Sequence, residues 1–274
     1  MTDPSQMTDS GDPFDPLDVL RPGCLTGRVA LVTGGGTGIG RATALTLARL
    51  GAQVVIMGRR TEKLEETQAL AGPDVLPITA IPLDLREFDQ VDAALDQVLG
   101  QHGRVDLLVN NAGGQFLAPA ESVSANGFRA VTRLNLDAPW YLTTRVAARS
   151  MIPNGYGKVV SVTMTPHRGI PFMAHSSAAR AAIESLTQTL AVEWGAKGIR
   201  IVAVAPGIVQ TEAWEGYGLD PAKVSESMLL KRLQRPEEVA ATIAFCLSPA
   251  GDYITGTTIV SDGGWNLVGP FPAM

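Results

Sequence analysis

The stretch TGGGTGIG, residues 33–40, decides the fold of this chain because of what stands on either side of it. It follows the apolar run RVALVT (28–33) and opens directly into RATALTLARL (41–50). The first run has the continuous apolar character of a strand that is buried on both faces, and the second has helical periodicity. A glycine-rich turn between a strand and a helix presents backbone N–H groups and the positive end of the helix dipole. We therefore predict a cradle for a dinucleotide pyrophosphate at this turn.

Three glycines have separate roles in this interpretation. Gly34 permits the tight turn, Gly38 lets the backbone approach a phosphate closely, and Gly40 lets the helix pack close to the strand. Thr37 and Ile39 lie between them and complete the predicted cofactor-binding set of the turn.

Further runs of the same kind follow along the chain and alternate with helical patterns. We predict strands in seven segments, at 28–33, 52–57, 75–83, 105–110, 158–163, 199–206 and 256–263. The pattern is typical of an α/β fold, a doubly wound Rossmann-type parallel sheet of about seven strands with helices on both faces. We assign residues 21–274 to a single domain of this type. The Pro- and Asp-rich segment 1–20 is predicted to be a mobile N-terminal arm.

The composition excludes several classes of function. Hydrophobic residues make up 45% of the 274 residues, and the formal net charge of −5 disfavours a nucleic acid partner. Cys24 and Cys246 are far apart and are interpreted as packing residues, and the three histidines suggest no metal site. We find neither an apolar run long enough to span a membrane nor a secretory signal, so the expected location is the cytoplasm.

The end of the second strand carries information about the cofactor. It reads Met57-Gly58-Arg59-Arg60, with glycine where an acidic partner for a free ribose 2′-hydroxyl is expected. Arginine suits a 2′-phosphate, so the sequence favours NADP(H), with Arg59 preferred over Arg60 as the phosphate ligand. The alternative is a solvated basic pair at the start of a helix.

These motifs and several others resemble the short-chain dehydrogenase/reductase family. The additional elements, in chain order, are LDL (83–85), NNAGG (110–114), Asn135 in RLNLDAP, PGIVQT (206–211) and DGG (262–264). The segments NNAGGQFLAPAE (110–121) and HSSAARAAIESLTQTLAVEWG (175–195) are similar to the branch with peroxisomal trans-2-enoyl-CoA reductase and 2,4-dienoyl-CoA reductase.

The resemblance implies a set of cofactor contacts in addition to the cradle. Asp84 and Leu85 are expected at the adenine, with the Asp84 carboxylate accepting from its amine. The other implied cofactor contacts are Asn111, Ala112, Gly113, Pro206, Gly207, Ile208 and Thr211. The family also packs two long helices, at about 138–152 and 174–195, against symmetric copies, so a homo-oligomer, most commonly a tetramer, is expected.

The helix that carries the family's Tyr-x-x-x-Lys pair has Ser176 and Arg180 at those two positions. Residues four apart share one helix face, so Ser176, Arg180 and Glu184 are predicted to align. Arg180 can hold the ribose hydroxyls and supply positive potential, but a guanidinium stays charged and does not transfer protons. Ser176 is not acidic unless a base adjoins it. Asn135 falls at the family's active-site asparagine.

The family's strand serine has no unambiguous counterpart. When the position of that serine is counted forward from the predicted strand, it falls on Met164, and when it is counted back from Arg180, it falls on Thr163. We prefer Thr163 as the catalytic hydroxyl and keep Thr165 as an alternative. His175 is a candidate proton donor, or else a packing residue.

Other candidates are weaker, and each has a simpler structural explanation. His167 and Tyr217 lie in loops that face substrate in the family, and Tyr141 is expected to be buried. The basic residues that we consider for the phosphates of an acyl carrier, or for a solvated patch, are Lys231, Arg232 and Arg235.

The predicted function is NADPH-dependent reduction of the double bond of an enoyl thioester, carried on coenzyme A or on a carrier protein. Hydride enters the β-carbon and the charge spreads into an enolate, whose oxygen needs hydrogen-bond donors and not a full acid. The alternatives are reduction of an activated ketone or quinone, and a non-redox role such as isomerisation, cyclisation or binding.

Overall fold

The structure is a computed structural model that describes residues 20–165, 169–212 and 220–267. Its centre is a parallel sheet with the strand order β3-β2-β1-β4-β5-β6-β7. The seven strands are β1 Val29–Thr33, β2 Gln53–Gly58, β3 Thr79–Pro82, β4 Leu107–Asn110, β5 Gly157–Val162, β6 Ile199–Pro206 and β7 Thr257–Ser261. The predicted doubly wound α/β fold and the number of strands are confirmed.

Helices cover both faces of this sheet. The α-helices are α1 Gly38–Arg49, α2 Thr61–Leu70, α3 Phe88–His102, α4 Ala125–Thr132, α5 Ala138–Val146, α6 Ile152–Asn154, α7 Ala174–Trp194, α8 Pro221–Ser227 and α9 Pro236–Leu247. Two hydrophobic cores result, one on each face, and the central strands β1, β4 and β5 are buried along their whole length. Burial on both faces explains why these strands read as unbroken apolar runs.

The helical region between β4 and β5, which runs from α4 to α6, contains two irregular turns. A π-helical turn, Arg133–Asp137, joins α4 to α5, and a second, Ala147–Met151, joins α5 to α6. The extra residue of a π turn changes which side chains face inward, and such turns are frequent at functional sites. The first of them carries Asn135, which is buried.

The strand order reverses direction between β1 and β4. In an open α/β sheet, ligands bind in the crevice outside the carboxyl ends of the strands at such a switch point. The turn after β1 and the segments after β4 and β5 lie at this edge, which therefore positions the site. In the part of the chain that the structure describes, no helix is long and apolar enough to cross a membrane.

Candidate active site

The turn after β1 has the geometry of a phosphate cradle, a name we use for residues 33–40. Gly34 and Gly38 have φ angles of 66° and 51°, in the left-handed region that glycine adopts without strain. A Cβ atom at Gly40 would lie 2.1 Å from the carbonyl oxygen of Gly34, so only glycine lets α1 pack this close to the turn. These backbone features close the turn tightly onto the beginning of α1, where backbone N–H groups can bind a pyrophosphate.

The segment after β4 is tied to this cradle by hydrogen bonds. The hydroxyl of Thr33 accepts from the backbone N–H groups of Asn111 and Ala112, both at 3.0 Å. The side-chain amide of Asn111 donates to the carbonyl of Thr33 at 2.9 Å and to that of Gly34 at 3.3 Å. The predicted cofactor residues of the two segments therefore form one rigid unit.

The segment after β6 approaches the cradle from the other side. A Cβ atom at Gly38 would lie 3.1 Å from Cγ2 of Thr211, and a Cβ atom at Gly207 would lie 2.9 Å from Cα of Asp262. The carbonyl of Pro206 accepts from the backbone N–H of Thr165 at 3.0 Å. Thr211 thus lies beside the opening of α1, Pro206 lies beside the residues that follow β5, and Gly207 packs against Asp262.

Two charged groups border the adenine side. One guanidinium nitrogen of Arg60 lies 3.4 Å from the hydroxyl of Thr37 in the cradle, and Arg59 is exposed beside it. The Asp84 carboxylate is paired with Arg86, at 2.9 Å from Nε, and the hydrogen bond from Arg86 lowers its pKa to about 2. Asp84 and Leu85 form the predicted adenine contact. The Asp84 carboxylate is therefore ionised, and it already accepts hydrogen bonds from Arg86.

At the end of β5, a second group of residues surrounds the start of α7. Ser176 is fully buried, and its hydroxyl donates to Oε1 of Gln115 at 3.0 Å. The side-chain nitrogen of Asn135 lies 3.5 Å from the same hydroxyl, and Sδ of Met164 lies 3.7 Å from it. We call these four residues, Ser176, Gln115, Asn135 and Met164, the Ser176 cluster.

Asn135 is held in the cluster by two backbone contacts. Its Oδ1 accepts from the N–H of Gly114 and its Nδ2 donates to the carbonyl of Gly114, both at 3.0 Å. The π turn places this side chain inward, and the pair of bonds fixes which end of the amide faces Ser176. The structure thus brings the side chains of Asn135 and Ser176 together.

The guanidinium of Arg180 lies between the cluster and the strand end. Its Nη1 donates to the carbonyl of Val162 at 2.6 Å and to that of Thr163 at 3.3 Å. A Cβ atom at Gly113 would lie 2.7 Å from Nη2 of Arg180 and 3.1 Å from Oδ1 of Asn135. Gly113 is therefore needed for the guanidinium to occupy this position beside the segment after β4.

Thr163 does not face the Ser176 cluster, in contrast to the sequence prediction. Its hydroxyl donates to the carboxylate of Glu184 at 2.9 Å, whereas the sulfur of Met164 meets Ser176. The reason is the alternation of side chains at the end of β5, which puts neighbouring residues on opposite sides. Counting forward from the strand, which gives Met164, agrees with the geometry. Thr165 is also turned away, since its hydroxyl donates to the carbonyl of Pro206 at 3.2 Å.

His175 is buried directly beside Ser176. Its Nδ1 accepts from the backbone N–H of Ser176 at 2.7 Å, and its ring packs edge-on against Phe116 with centroids 4.3 Å apart. Burial lowers the pKa of His175, which favours the neutral ring with its proton on Nε2. That nitrogen has no hydrogen-bond partner among the described residues.

No tyrosine among the described residues replaces the phenol that the helix lacks. The hydroxyl of Tyr141, which is half-buried, donates to Asp92 at 2.8 Å on α3. Tyr156 lies under the guanidinium of Arg28, and Tyr253 is fully exposed. Two further candidates, Tyr217 and His167, lie outside the described residues.

Comparison with known proteins identifies the chain. The family described as Enoyl-(Acyl carrier protein) reductase matches residues 34–266. The chain belongs to the short-chain dehydrogenase/reductase family. It is 36% identical to a peroxisomal 2,4-dienoyl-CoA reductase of Danio rerio over 90% of this chain and 84% of the relative.

Solved structures agree with this membership. A citronellol catabolism dehydrogenase of Pseudomonas aeruginosa PAO1 is 40% identical, with a TM-score of 0.81 over 90% of this chain and 98% of that one. The 3-ketoacyl-(acyl-carrier-protein) reductase of Brucella melitensis, solved with NADH, is 31% identical, with a TM-score of 0.83 over 88% and 99% of the two chains. This short-chain dehydrogenase/reductase is accordingly an oxidoreductase of the type that uses a nicotinamide cofactor.

The residues present fit such a cofactor. The glycines of the cradle let the turn pack closely against the N-terminus of α1, whose backbone N–H groups can bind a pyrophosphate, and Asn111 and Thr33 fix its conformation. Arg180 is fixed between this unit and the end of β5 by its bonds to Val162 and Thr163. A nicotinamide ribose that reaches from the cradle toward the Ser176 cluster would meet this guanidinium.

Gln115 and Met164 belong to the cluster, although neither is among the site residues that the sequence favours. Gln115 follows the NNAGG element by one residue, and only its hydrogen bond to Ser176 reveals its role. Met164 was counted but set aside because it carries no hydroxyl. The signal for Gln115 was its place directly after a cofactor motif, where the chain leaves the sheet edge.

The basic residues near 231 are held by internal contacts, with a single carboxylate, that of Glu238, facing both Arg232 and Arg235. Both terminal nitrogens of Arg232 donate to Glu238, at 2.6 and 2.9 Å, and Nζ of Lys231 donates to the carbonyl of Glu226 at 2.8 Å. Arg235 lies 4.0 Å from the same Glu238 carboxylate. Among the described residues, no group of histidine, cysteine or acidic side chains is suited to hold a metal ion.

Proposed function

We propose that this protein reduces the carbon–carbon double bond of an enoyl thioester, carried on coenzyme A or an acyl carrier protein, with NADPH as the reductant. The observation that carries the proposal is the Ser176 cluster. It offers a hydroxyl and two amides at the position where the family has a phenol, and all of them are hydrogen-bonding groups that hold their protons.

The chemistry separates the candidate substrates. Reduction of a ketone produces an alkoxide, which needs a proton at oxygen as it forms, and a serine hydroxyl transfers one poorly. Reduction of a double bond conjugated to a thioester produces an enolate, whose oxygen is stabilised by hydrogen-bond donors. Because no phenol joins the cluster among the described residues, the cluster suits the reduction of an enoyl thioester better than the reduction of a ketone.

The residues of the chain have distinct parts in this proposal. A nicotinamide cofactor, when bound, supplies the hydride. When the substrate binds, the Ser176 hydroxyl would turn from Oε1 of Gln115 to the thioester oxygen while Asn135 holds the Ser176 oxygen. Arg180 would orient the ribose and add positive potential. The α-carbon takes its proton from water, because burial disfavours the imidazolium form of His175 that could donate one.

The preference for NADPH rests on Arg59 and Arg60 at the end of β2. Arg60 extends over the cradle to Thr37, and no acidic side chain follows the strand where a ribose 2′-hydroxyl would need one. The relative named as a 2,4-dienoyl-CoA reductase is consistent with an enoyl thioester substrate.

Assembly into a homo-oligomer, with a tetramer as the expected form, is part of the proposal. On α5 the side chain of Trp140 is 45% exposed, and on α7 that of Val192 is 87% exposed. A shallow apolar groove runs between these helices along Trp140, Ile183, Leu186 and Leu190. Burying such a groove against a second copy is favourable because it removes apolar surface from water. A cytoplasmic location stays a prediction.

The test is a spectrophotometric assay with crotonyl-CoA and either NADPH or NADH. We expect oxidation of NADPH with crotonyl-CoA and at least about 100-fold slower turnover of simple ketones, since the missing proton donor affects only the latter. Bound NADPH that no thioester oxidises, together with turnover of a ketone or of nothing, would overturn the proposal.

The cofactor preference has its own test in Arg59→Ala. Loss of one charge-assisted bond to the 2′-phosphate should raise the KM for NADPH about 10- to 30-fold and leave that for NADH within twofold. Lys197→Ala, which removes one exposed charge beside the start of β6, is the matched control. Equal effects on both cofactors would contradict the assignment of the 2′-phosphate to this arginine.

A further inference from the structure

One aromatic residue near the Ser176 cluster has a strained backbone. Phe172 has a φ angle of 66°, in the left-handed region where the Cβ of an L-residue crowds its own backbone. Glycine adopts this conformation freely, whereas Phe172 adopts it with a large apolar side chain that stays 45% exposed. Strained residues with exposed side chains cluster where a protein contacts a ligand.

Phe172 is held next to the segment that follows Gln115. Its carbonyl accepts from the backbone N–H of Ala118 at 3.0 Å, so the two stretches of chain lie side by side. Phe116 and Leu117, on the neighbouring stretch, are 40% and 44% exposed. We call Phe116, Leu117 and Phe172 the apolar mouth.

The apolar mouth is continuous with the Ser176 cluster. The ring of Phe116 packs against His175, which is buried next to Ser176, and Gln115 directly precedes Phe116. On the other side, Ile170 packs against the small core formed by Val224, Met228, Leu233 and Trp265 around α8. The mouth therefore lies between the catalytic position and the region of α8.

The mouth also lacks charge. Residues 112–119 and 169–174 contain no Asp, Glu, Lys or Arg. An exposed apolar surface without charge at the entrance of a site suits a hydrocarbon chain and offers nothing to the phosphates of coenzyme A.

From these observations we infer that Phe172, with Phe116 and Leu117, selects thioesters with long apolar acyl chains by contacting the part of the chain beyond the reacting double bond. The inference rests on the proposed function for the identity of the substrate. In it, Phe172 is a specificity-determining residue, and its strained backbone holds the ring over the entrance at the expense of stability.

The experiment measures the binding of saturated acyl-CoA by calorimetry in the presence of NADP⁺, with acyl chains of 4, 8 and 12 carbons. For the unchanged protein we expect the affinity to rise at least about 10-fold from the shortest to the longest chain, because partial burial of each CH₂ adds to binding. Phe172→Ala should remove about fivefold of this gain while the affinity for the four-carbon chain stays within twofold.

Phe172→Gly distinguishes the effect of the strained backbone from the effect of the lost contact between the ring and the acyl chain. It should lose the same chain-length preference, yet unfold about 2 °C or more above Phe172→Ala, because glycine relieves the left-handed conformation. Phe245→Ala is the matched control, since Phe245 on α9 is 40% exposed, close to the 45% of Phe172, and lies outside the apolar mouth.

The outcomes separate this inference from the proposed function. Affinity that is independent of chain length, or an equal loss on all chains in Phe172→Ala, overturns the inference even if crotonyl-CoA is reduced. Chain-dependent binding without reduction of any enoyl-CoA supports the apolar mouth and overturns the proposed reaction. Failure to bind any acyl-CoA overturns the inference, and it overturns the proposed reaction for thioesters of coenzyme A.

Discussion

The phosphate cradle and the Ser176 cluster lie at the same edge of the sheet, but they are assembled in different ways. The cradle is eight consecutive residues whose shape follows from glycines at fixed spacing. The Ser176 cluster combines side chains from four separate segments, which follow β4, occupy a π turn, follow β5 and begin α7. A ligand site made of backbone is local in sequence, whereas a site made of side chains depends on how distant segments pack.

The cradle and the Ser176 cluster should also differ in how well they tolerate mutation. In the cradle, one added methyl group meets backbone atoms that cannot move independently, as at Gly40. In the cluster, the loss of one hydroxyl leaves partners that can still bond to one another or to water. We therefore expect mutations of the cradle to abolish binding and mutations of the cluster to reduce turnover.

The largest effect is expected from Gly40→Ala. The new Cβ would lie 2.1 Å from the carbonyl oxygen of Gly34, so α1 must move away from the turn. We expect the unfolding free energy to fall by about 3 kcal/mol and NADPH affinity to fall at least about 100-fold. Thermal unfolding and fluorescence titration with NADPH measure both.

The control for that change is Gly100→Ala on α3, where an added Cβ has nothing within 4 Å among the described residues. It should be neutral or stabilise the protein by up to about 1 kcal/mol. If both variants behave alike, then close packing at Gly40 does not shape the cradle.

An intermediate effect is expected from Ser176→Ala. Loss of a hydrogen-bond donor to the developing enolate should lower kcat about 10- to 100-fold and leave NADPH affinity unchanged. A double-mutant cycle with Gln115→Ala should give a coupling of about 1 kcal/mol in transition-state stabilisation, because the two side chains are bonded at 3.0 Å.

Ser177→Ala on the same helix is the matched control, since that hydroxyl has no hydrogen-bond partner among the described residues. Its kcat should stay within twofold of the unchanged protein. Additive effects of Ser176→Ala and Gln115→Ala would show that the cluster does not act as a unit.

The smallest effect concerns His175 and the pH dependence of stability. Burial lowers the pKa of His175 in the folded protein, so the unfolded chain binds a proton that the folded protein does not once the pH falls below about 6.5. The unfolding free energy should therefore decrease as the pH falls from 7 toward 5, at up to about 1.4 kcal/mol per pH unit.

His175→Gln removes this titration, so its stability should fall less steeply over the same range. Urea unfolding of both proteins at pH 7, 6 and 5 measures the difference. Parallel curves would mean that the folded protein accepts a proton on His175 as readily as the unfolded chain does.

The sequence by itself predicted the parts of the molecule that depend on local pattern. Apolar runs that are buried on both faces predicted a parallel sheet of about seven strands, and glycine spacing predicted the cradle. The alignment of Ser176 with Arg180 followed from helical periodicity alone. Each of these depends on residues within a few positions of one another, so the chain's own geometry determines it.

Only the tertiary structure decided which side chains meet at the end of β5. It turned Thr163 toward Glu184 and Met164 toward Ser176, and it brought Gln115 to a hydroxyl that is 61 residues away in the chain. It also placed Phe172 in a strained conformation that no pattern in the sequence indicates. The physical reason is that a shift of one residue at a strand end turns every following side chain to the opposite face. The packing of the whole domain decides which of the two alignments forms.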